Sequence, residues 1–501
     1  MVDKVKVCKA GTEPSFPASF DVTVRKTLNF TDIVENNNKY YNIELQSASG
    51  GKKVRVYTQY GRVGAHNPAR EYRPCDNEAH ANAVIAQIIK EKTKKGYEEV
   101  ELVKSDLGSE VGKAIVTKQL VTEEQLKKNG YTVETKGEPS KLHAEVRSLV
   151  GTWFGATAQF IELNLDTKKC PLGQLSVAQL AKGRDLLDEA RKIVHQSKPD
   201  ESELNRITSK YYANIPHNFG YGRLDADLLR FDDDAKIDKG FDILDIFADA
   251  KNAEKVMSTK SPVDAQYETL NADLEYIDPT TLTYKWLQRM LLETRAGNHS
   301  GLGKLQLHRA FTVNRKKEEA HFLANVEQIA KECGKQQLPD ILKRHVPERP
   351  DVPKELQKAY ERANVIPVWH GTRRANMVGI TTKGLLIRPS GVPHAGSMFG
   401  DGIYWAAHST KSINYTDVRG SYWAAGQADK AFLFLADCAF GNQRIVHNAT
   451  FIRKGDLKGD HSVWAKMGQA LLNDELIVYN ATGPSQQHRI KYILEFSTGA
   501  R

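Results

Sequence analysis

Cysteine is scarce in this chain: Cys8, Cys75, Cys170, Cys333 and Cys438 are the five in 501 residues. They are odd in number and far apart. That excludes a disulfide framework and the paired spacing of a zinc finger, and it leads us to expect no metal and a reducing, intracellular setting. Long apolar runs are missing as well. No stretch approaches the roughly 20 residues a membrane span needs, and residues 1–16 hold no apolar core for a secretory signal, so no membrane partner is expected. Gly108 to Lys113 imitates a phosphate loop but lacks its spacing and the hydroxyl after lysine. Neither sign of charge dominates: 71 basic residues against 62 acidic ones leave a formal +9, a weak pointer to a polyanionic partner.

The length has room for roughly three to four domains. Residues 1–20 read as a disordered tail. Residues 21–105 are strand-rich: residues 40–45 and 53–57 alternate with the period of half-buried strands, a Ser-Gly turn lies between them, and a helix over 78–94 presents Ala81, Val84, Ile85, Ile88 and Ile89 on one face. Residues 106–140 have no sustained apolar face and read as a linker. From 141 to 258 the pattern is helical, with a capping box at Ser176 and Gln179. Its last part is acidic, carrying Asp225, Asp227, Asp232, Asp233, Asp234, Asp238, Asp242, Asp245 and Asp249.

Residues 259–501 mix both periods. A strand over 365–369 ends in His370-Gly371. A helical segment closed by Gly384, a Gly/Pro-rich loop, an aromatic strand over 402–406 and a helix opened by Ser409 follow. A glycine-lined loop between a strand-end histidine and an aromatic strand suits a large, flat, charged ligand, because glycine admits close backbone approach and rings stack on aromatic faces. Residues 325–350 read as a helical insertion of no assigned role, and 432–437 as a central buried strand.

Four of these pieces, taken in order, resemble the NAD-binding signature of the poly(ADP-ribose) polymerases, the diphtheria-toxin-like ADP-ribosyltransferases. They are His370-Gly371-Thr372, residues 398–406, Lys411-Ser412 with Tyr415, and residues 473–479 around Glu475. The region up to 105 resembles the WGR domain of DNA-dependent members, with Tyr60 where tryptophan is usual. Residues 165–175 and 211–220 resemble the regulatory helical domain. Arg388 and Ser397 depart from the family pattern in the adenine-side and donor-loop segments, and Trp405 stands where phenylalanine is common.

The resemblance implies a multidomain chain: an α+β WGR-like DNA-binding domain, an all-α autoinhibitory domain and an α+β transferase with a split antiparallel sheet. It implies NAD+ as substrate, DNA strand breaks as activators, and acceptor proteins including the chain itself. The compartment would be the nucleus in a eukaryote and otherwise the cytoplasm. The expected catalytic set is Glu475, His370 and Tyr404. His370, Gly371, Thr372, Tyr404, Ala406, Lys411, Ser412 and Tyr415 would hold the dinucleotide. Expected DNA contacts are Tyr60, Arg62, Lys52, Lys53 and Arg55, a basic stripe with no acid among residues 51–70. The acidic helices would repel the pyrophosphate.

Taken singly, Glu475 is a charged residue at a strand end and Arg62 a hairpin arginine paired with a carboxylate in its own domain; the joint occurrence of the motifs argues otherwise. Two alternatives remain open: a transferase of single ADP-ribose units onto protein or DNA ends, and a non-catalytic DNA-binding scaffold.

Overall fold

The computed structural model describes residues 6–48, 51–63, 67–100, 140–164, 175–215, 217, 219, 223–253, 262–299, 302–315, 317–334, 337–387, 397–418, 428–469 and 471–499. The expected linker lies almost wholly outside them, as does Arg388. The chain divides into two compact units, Met1–Lys118 with Ala158–Glu254 and Gln119–Thr157 with Lys255–Arg501.

In the first unit, β1 (Cys8–Lys9), β2 (Asp21–Asp32), β3 (Asn37–Ala48), β4 (Lys53–Arg62), β5 (Ala69–Cys75) and β6 (Glu98–Val100) form one sheet in the order β1-β5-β4-β3-β2-β6. The register of β4 is unbroken along β3, so its side chains alternate strictly. Val54 and Val56 therefore join Leu28, Tyr41, Ile43 and Leu45 beneath α1 (Glu78–Thr93), which contributes Ala81, Val84, Ile85 and Ile88. Burying each of these aliphatic side chains contributes roughly 1.5–3 kcal/mol. Asn77 opens α1 by accepting from the His80 N–H at 2.9 Å. The expected tail is shorter than residues 1–20: Cys8 is buried and pairs with Tyr72, and Phe16 lies 4.0 Å under the Arg55 guanidinium.

After α2 (Ala144–Asn164), the helices α3 (Val177–Val194), α4 (Glu201–Asn214), α5 (Ala226–Leu229) and α6 (Asp234–Ala253) follow. Both hydrogen bonds of the Ser176–Gln179 capping box are present. The acidic residues of this region are mostly neutralised at home. Asp234 and Asp238 pair with Arg191, which is itself buried, and Asp245 pairs with Arg184. Asp232 holds Lys236 at 2.8 Å, Asp227 holds Arg230 at 2.9 Å, and Asp225 and Asp233 cap helix starts. Carboxylates tied to arginines of adjacent helices are spent on holding those helices together, so the expected repulsion of a pyrophosphate loses its charge.

In the second unit, α7 (Pro262–Thr269), β7 (Ala272–Tyr276), α8 (Leu282–Glu293), β8 (Leu305–Arg315), α9 (Glu318–Glu332), α10 (Lys354–Arg362) and β9 (Val365–Gly371) lead to the motif region. There α11 (Met377–Lys383), β10 (Ile403–Trp405), α12 (Ser409–Ile413), β11 (Lys430–Ala439), β12 (Gln443–Val446), β13 (Ser462–Ala465), β14 (Glu475–Val478) and β15 (His488–Thr498) complete it. A five-stranded sheet runs β7-β8-β15-β11-β9 and a four-stranded one β10-β14-β13-β12. They meet where Trp369 pairs with Ala406, which is the expected split sheet. One pairing departs from the expectation: β12 and β13 are parallel, since residues 447–461 supply the crossover of about a dozen residues that a parallel pair requires.

β11 is buried along nearly its whole length, as its apolar run suggests. The charged residue within that buried run is Asp437, fully enclosed, which accepts from Arg349 at 2.6 Å. Burial pushes the Asp437 carboxyl up, but Arg349, Lys491 and Arg489 together hold it below its ordinary value. That contact also gives residues 325–350 a role. Among its described residues the start is α-helical, as part of α9, and Asp340–Leu342 is a short 3-10 turn; its end docks in the core through Arg349 and through His345, whose carbonyl accepts from Trp286 Nε1 at 3.1 Å.

No helix among the described residues is long and apolar enough to cross a membrane.

Candidate active site

The Trp369–Ala406 bridge sets the site. Trp369 N donates to Ala406 O at 2.8 Å and Ala406 N to Trp369 O at 3.0 Å, which fixes the end of β9 against the end of β10. His370 and Gly371 then leave β9 beside Tyr404. The His370 Nδ1 lies 3.3 Å from the Tyr404 carbonyl. A carbonyl only accepts, so Nδ1 carries the proton and Nε2 of the neutral ring is an acceptor.

Gly371 abuts α12. A Cβ there would lie 1.7 Å from Ser412 O and 2.6 Å from its carbonyl carbon, so only glycine lets the strand approach the helix that carries Lys411 and Ser412. The contact is backbone against backbone, with no side chain between the strand and the helix. Thr372 is buried and accepts from Asn376 Nδ2 at 3.1 Å.

Glu475 begins β14, whose register on β10 sets Leu476 opposite Trp405 and Ile477 opposite Tyr404. Its Oε1 lies 2.8 Å from Lys411 Nζ, and the two side chains keep only 12% and 14% of their exposure. The same ammonium donates to Asn473 O at 2.9 Å and Asp474 O at 3.3 Å. Burial pulls Lys411 below its ordinary value, and Glu475 opposes that.

Tyr404 donates to Gly400 O at 2.8 Å and accepts from Phe399 N at 3.0 Å, which closes the turn before its strand. Burial raises its phenol well above 10, with further upward pushes from Tyr479, Glu475 and Asp401. Although 44% of Tyr415 is exposed, crowding around its phenol and then the Glu475 charge push it up to about 12. The Glu475 charge thus reaches Lys411, Tyr404 and Tyr415 together.

Trp405 follows Tyr404 on β10 and so faces the opposite side of the strand. It is fully buried, with ring centroids 5.7 Å from His370 and 5.3 Å from His488. Sequence reasoning missed His488: a lone histidine in an apolar strand carries no motif. Burial first of all holds His370 down at about 4 and His488 at about 3, against an unfolded value of 6.5. Because the folded values are depressed, the stabilisation is complete above 6.5, and acid protonates the unfolded chain first. Stability therefore falls as pH drops from 6.5 towards 4, by roughly 2 kcal/mol per histidine at pH 5. The thermal midpoint should be lower at pH 5 than at pH 7.5, and less so in a His488→Phe variant. An unchanged difference in that variant would remove His488 from this account.

The expected DNA contacts do not share one surface. Alternation along β4 turns Lys53, Arg55 and Tyr57 to one face and Tyr60 and Arg62 to the face that α1 covers. Tyr60 stacks on Tyr41, with centroids 5.0 Å apart, and donates to Glu71 at 2.9 Å. Arg55 bonds Gln46 and lies over Phe16 and Tyr72. Arg62 donates to Asn36 O at 2.8 Å and to Asn36 Oδ1 at 2.9 Å. Asn36 Oδ1 also accepts from Leu224 N at 2.9 Å. Asn36 carries no motif; it is a left-handed turn residue (φ 54°) in an Asn-rich stretch.

Residues 24–104 match the WGR domain, 140–274 the regulatory domain of poly(ADP-ribose) polymerase, and 281–471 the poly(ADP-ribose) polymerase catalytic domain. Poly(ADP-ribose) polymerase 2 of Zea mays is 24% identical over 511 residues, which cover 93% of this chain and 69% of the relative. The human polymerase 2 is 26% identical over 444 residues, 87% of this chain and 68% of its own. Poly(ADP-ribose) polymerase 1 of Gallus gallus is 26% identical over 459 residues, 87% of this chain and 39% of its own.

These matches, over a WGR sheet, a helical domain and a split-sheet domain, make the chain a multidomain NAD+ ADP-ribosyltransferase. The chain belongs to the poly(ADP-ribose) polymerase family. Glu475 lies just beyond the residues matched to the catalytic domain.

Proposed function

We propose that the chain cleaves NAD+, releases nicotinamide and attaches ADP-ribose to proteins including itself, building chains, and that DNA strand breaks stimulate it. The single observation that carries the catalytic part is Glu475 held by Lys411 within electrostatic reach of Tyr404 and Tyr415.

In this reading Tyr404 and Tyr415 sandwich the nicotinamide, and the Gly371 backbone and Ser412 hydroxyl bind its carboxamide. The acceptor Nε2 of His370 takes a hydroxyl of the adenosine ribose, with Thr372 and Ala406 alongside. Nicotinamide leaves as a neutral ring from a cationic glycoside, so the reaction needs no metal. It needs a rigid leaving group and negative charge near the anomeric carbon as positive charge grows there. Glu475 supplies that charge through the ribose 2′-hydroxyl and orients the acceptor nucleophile.

For DNA stimulation the support is the chain of bonds Arg62–Asn36–Leu224, which joins the end of β4 to the residues leading into α5. A duplex end that drew on Arg62 would compete for Asn36 and loosen the regulatory helices. Lys52, Lys53 and Arg55 would hold backbone phosphates on the other face. Arg62→Ala is expected to cut stimulation of NAD+ consumption by nicked DNA at least about fivefold, and basal activity much less. Equal stimulation in the variant would take Arg62 out of the sensor.

A single-unit product is favoured by one observation. β13 and β14 are joined by only residues 466–474, tightened by Gly468 N to Leu471 O at 2.9 Å and Met467 N to Asp474 Oδ1 at 2.7 Å. A gel of labelled product made with nicked DNA decides: a ladder supports polymer, and one discrete band replaces it with single transfer.

A further inference from the structure

Residues 294–299, which follow α8, form a strap along the back of the Lys411–Glu475 pair. Ala296 N donates to Thr410 Oγ1 at 2.9 Å, and the His299 Nδ1 shares a 2.9 Å hydrogen bond with the same oxygen. On the ring's other side, Nε2 lies 3.4 Å from Asn473 Nδ2, which is also 3.4 Å from Asn298 Oδ1. Asn298 Nδ2 in turn donates to Leu472 O at 3.3 Å.

The two residues gripped by this imidazole are not arbitrary. Thr410 immediately precedes Lys411 on α12. Asn473 supplies, through its carbonyl, the 2.9 Å acceptor of the Lys411 ammonium, and it lies two residues before Glu475. We infer that His299 is a positioning residue, acting through Thr410 and Asn473 to hold Lys411 and Glu475 in register.

α12 is a helix of only five residues with no side-chain cap at its start, and Glu475 is the first residue of its strand. The start of α12 is tied to α8 by Ser409 Oγ donating to Leu291 O at 2.8 Å, and the start of β14 by Asp474 accepting from Trp464 Nε1 at 2.7 Å; the strap adds a link between the two. Thr410 is wholly buried, which restricts its hydroxyl to these partners. Burial and then the Lys411 charge lower His299 below its ordinary value, in keeping with a neutral ring. The charged groups around it are Lys411 on α12, His408 just before that helix, and Asp474 and Glu475 at the start of β14.

The inference rests on the reading of Glu475 as the catalytic carboxylate. Misplacing such a group by about 1 Å costs up to about 100-fold in rate. For a pair loosened but not lost we expect His299→Ala to lower kcat about tenfold, with KM for NAD+ within about twofold. In a Lys411→Met background the same change should cost less than about twofold, since there is no pair left to position. Thr410→Val, which keeps the shape and removes the hydroxyl, should reproduce the loss, and Thr410→Ser should not.

Wild-type kcat in His299→Ala, a tenfold loss that persists without Lys411, or a loss confined to KM would each overturn the proposal. If His299→Ala does not fold, the Thr410→Val and Thr410→Ser pair carries the test: equal activities refute it and a tenfold gap supports it. Glu475→Gln, assayed alongside, separates the two readings. Activity retained there refutes the role of Glu475, and activity lost there with a normal His299→Ala refutes only the positioning.

Discussion

Glu475→Gln should lower NAD+-dependent transfer about 100- to 1000-fold while leaving folding and DNA binding intact. Glutamine keeps the shape of the side chain and can still meet the Lys411 ammonium at the 2.8 Å contact now made by Oε1. What it removes is the carboxylate charge and basicity that the proposed mechanism assigns to the reacting ribose and the acceptor. Electrostatic stabilisation and general-base catalysis each account for effects of that size. The loss should fall on kcat, because Tyr404, Tyr415 and Gly371, to which the proposed reading gives the binding of the nicotinamide, are untouched. Product restricted to single units would mean that the carboxylate matters more for elongation than for the first transfer. Unchanged polymer formation would end its catalytic role.

A comparably large effect is expected from a single methyl group on the other side of the cleft. In Gly371→Ala the new Cβ would meet Ser412 O at 1.7 Å and the Ser412 Cα at 3.2 Å, and these are backbone atoms of α12 that no rotamer change can clear. The helix must move. Because Ser412 O also accepts from Tyr415 N at 3.1 Å, the shift carries Tyr415 with it and drags Lys411 from its three acceptors. Overpacking of this kind costs about 1–3 kcal/mol of stability. Displacing groups that must align on one dinucleotide should lower kcat/KM about 100-fold, with KM raised as well as kcat reduced. Steady-state kinetics with a nicotinamide-analogue thermal shift would check it. A wild-type KM with a wild-type shift would mean that the close approach is not needed for the dinucleotide.

Much of the architecture was legible in order of residues alone. Residues 365–371 read as a strand because they are apolar and punctuated by His-Gly, and they form β9. Ser176 and Gln179 announce α3 through reciprocal bonds that need only local geometry. The face of α1 follows from helical spacing. Each depends on neighbours within a few positions, so pattern suffices.

What the sequence left hidden has a common cause. The basic stripe of residues 52–62 is contiguous in sequence, yet a strand of period two deals its members to opposite faces, and the register on β3 gives Tyr60 and Arg62 to the α1 side. The acidic run from Asp225 to Asp245 looked like a free negative face because its partners, Arg184 and Arg191, lie on another helix. The segment 325–350 looked like an insertion because nothing local reveals that Arg349 ends against Asp437.

The order of motifs by itself carried a resemblance to the poly(ADP-ribose) polymerases, and that resemblance supplied the class of chemistry: an imidazole, a glycine, two phenols, an ammonium and a carboxylate in the family's order imply a dinucleotide and a transfer at its glycosidic carbon. The tertiary structure alone decided which atoms meet. The Trp369–Ala406 bridge, the contact of Gly371 with Ser412, the grip of His299 on Thr410 and Asn473 and the relay from Arg62 through Asn36 join residues far apart in the chain. Such contacts arise from how sheets and helices close on one another, and no local preference encodes them.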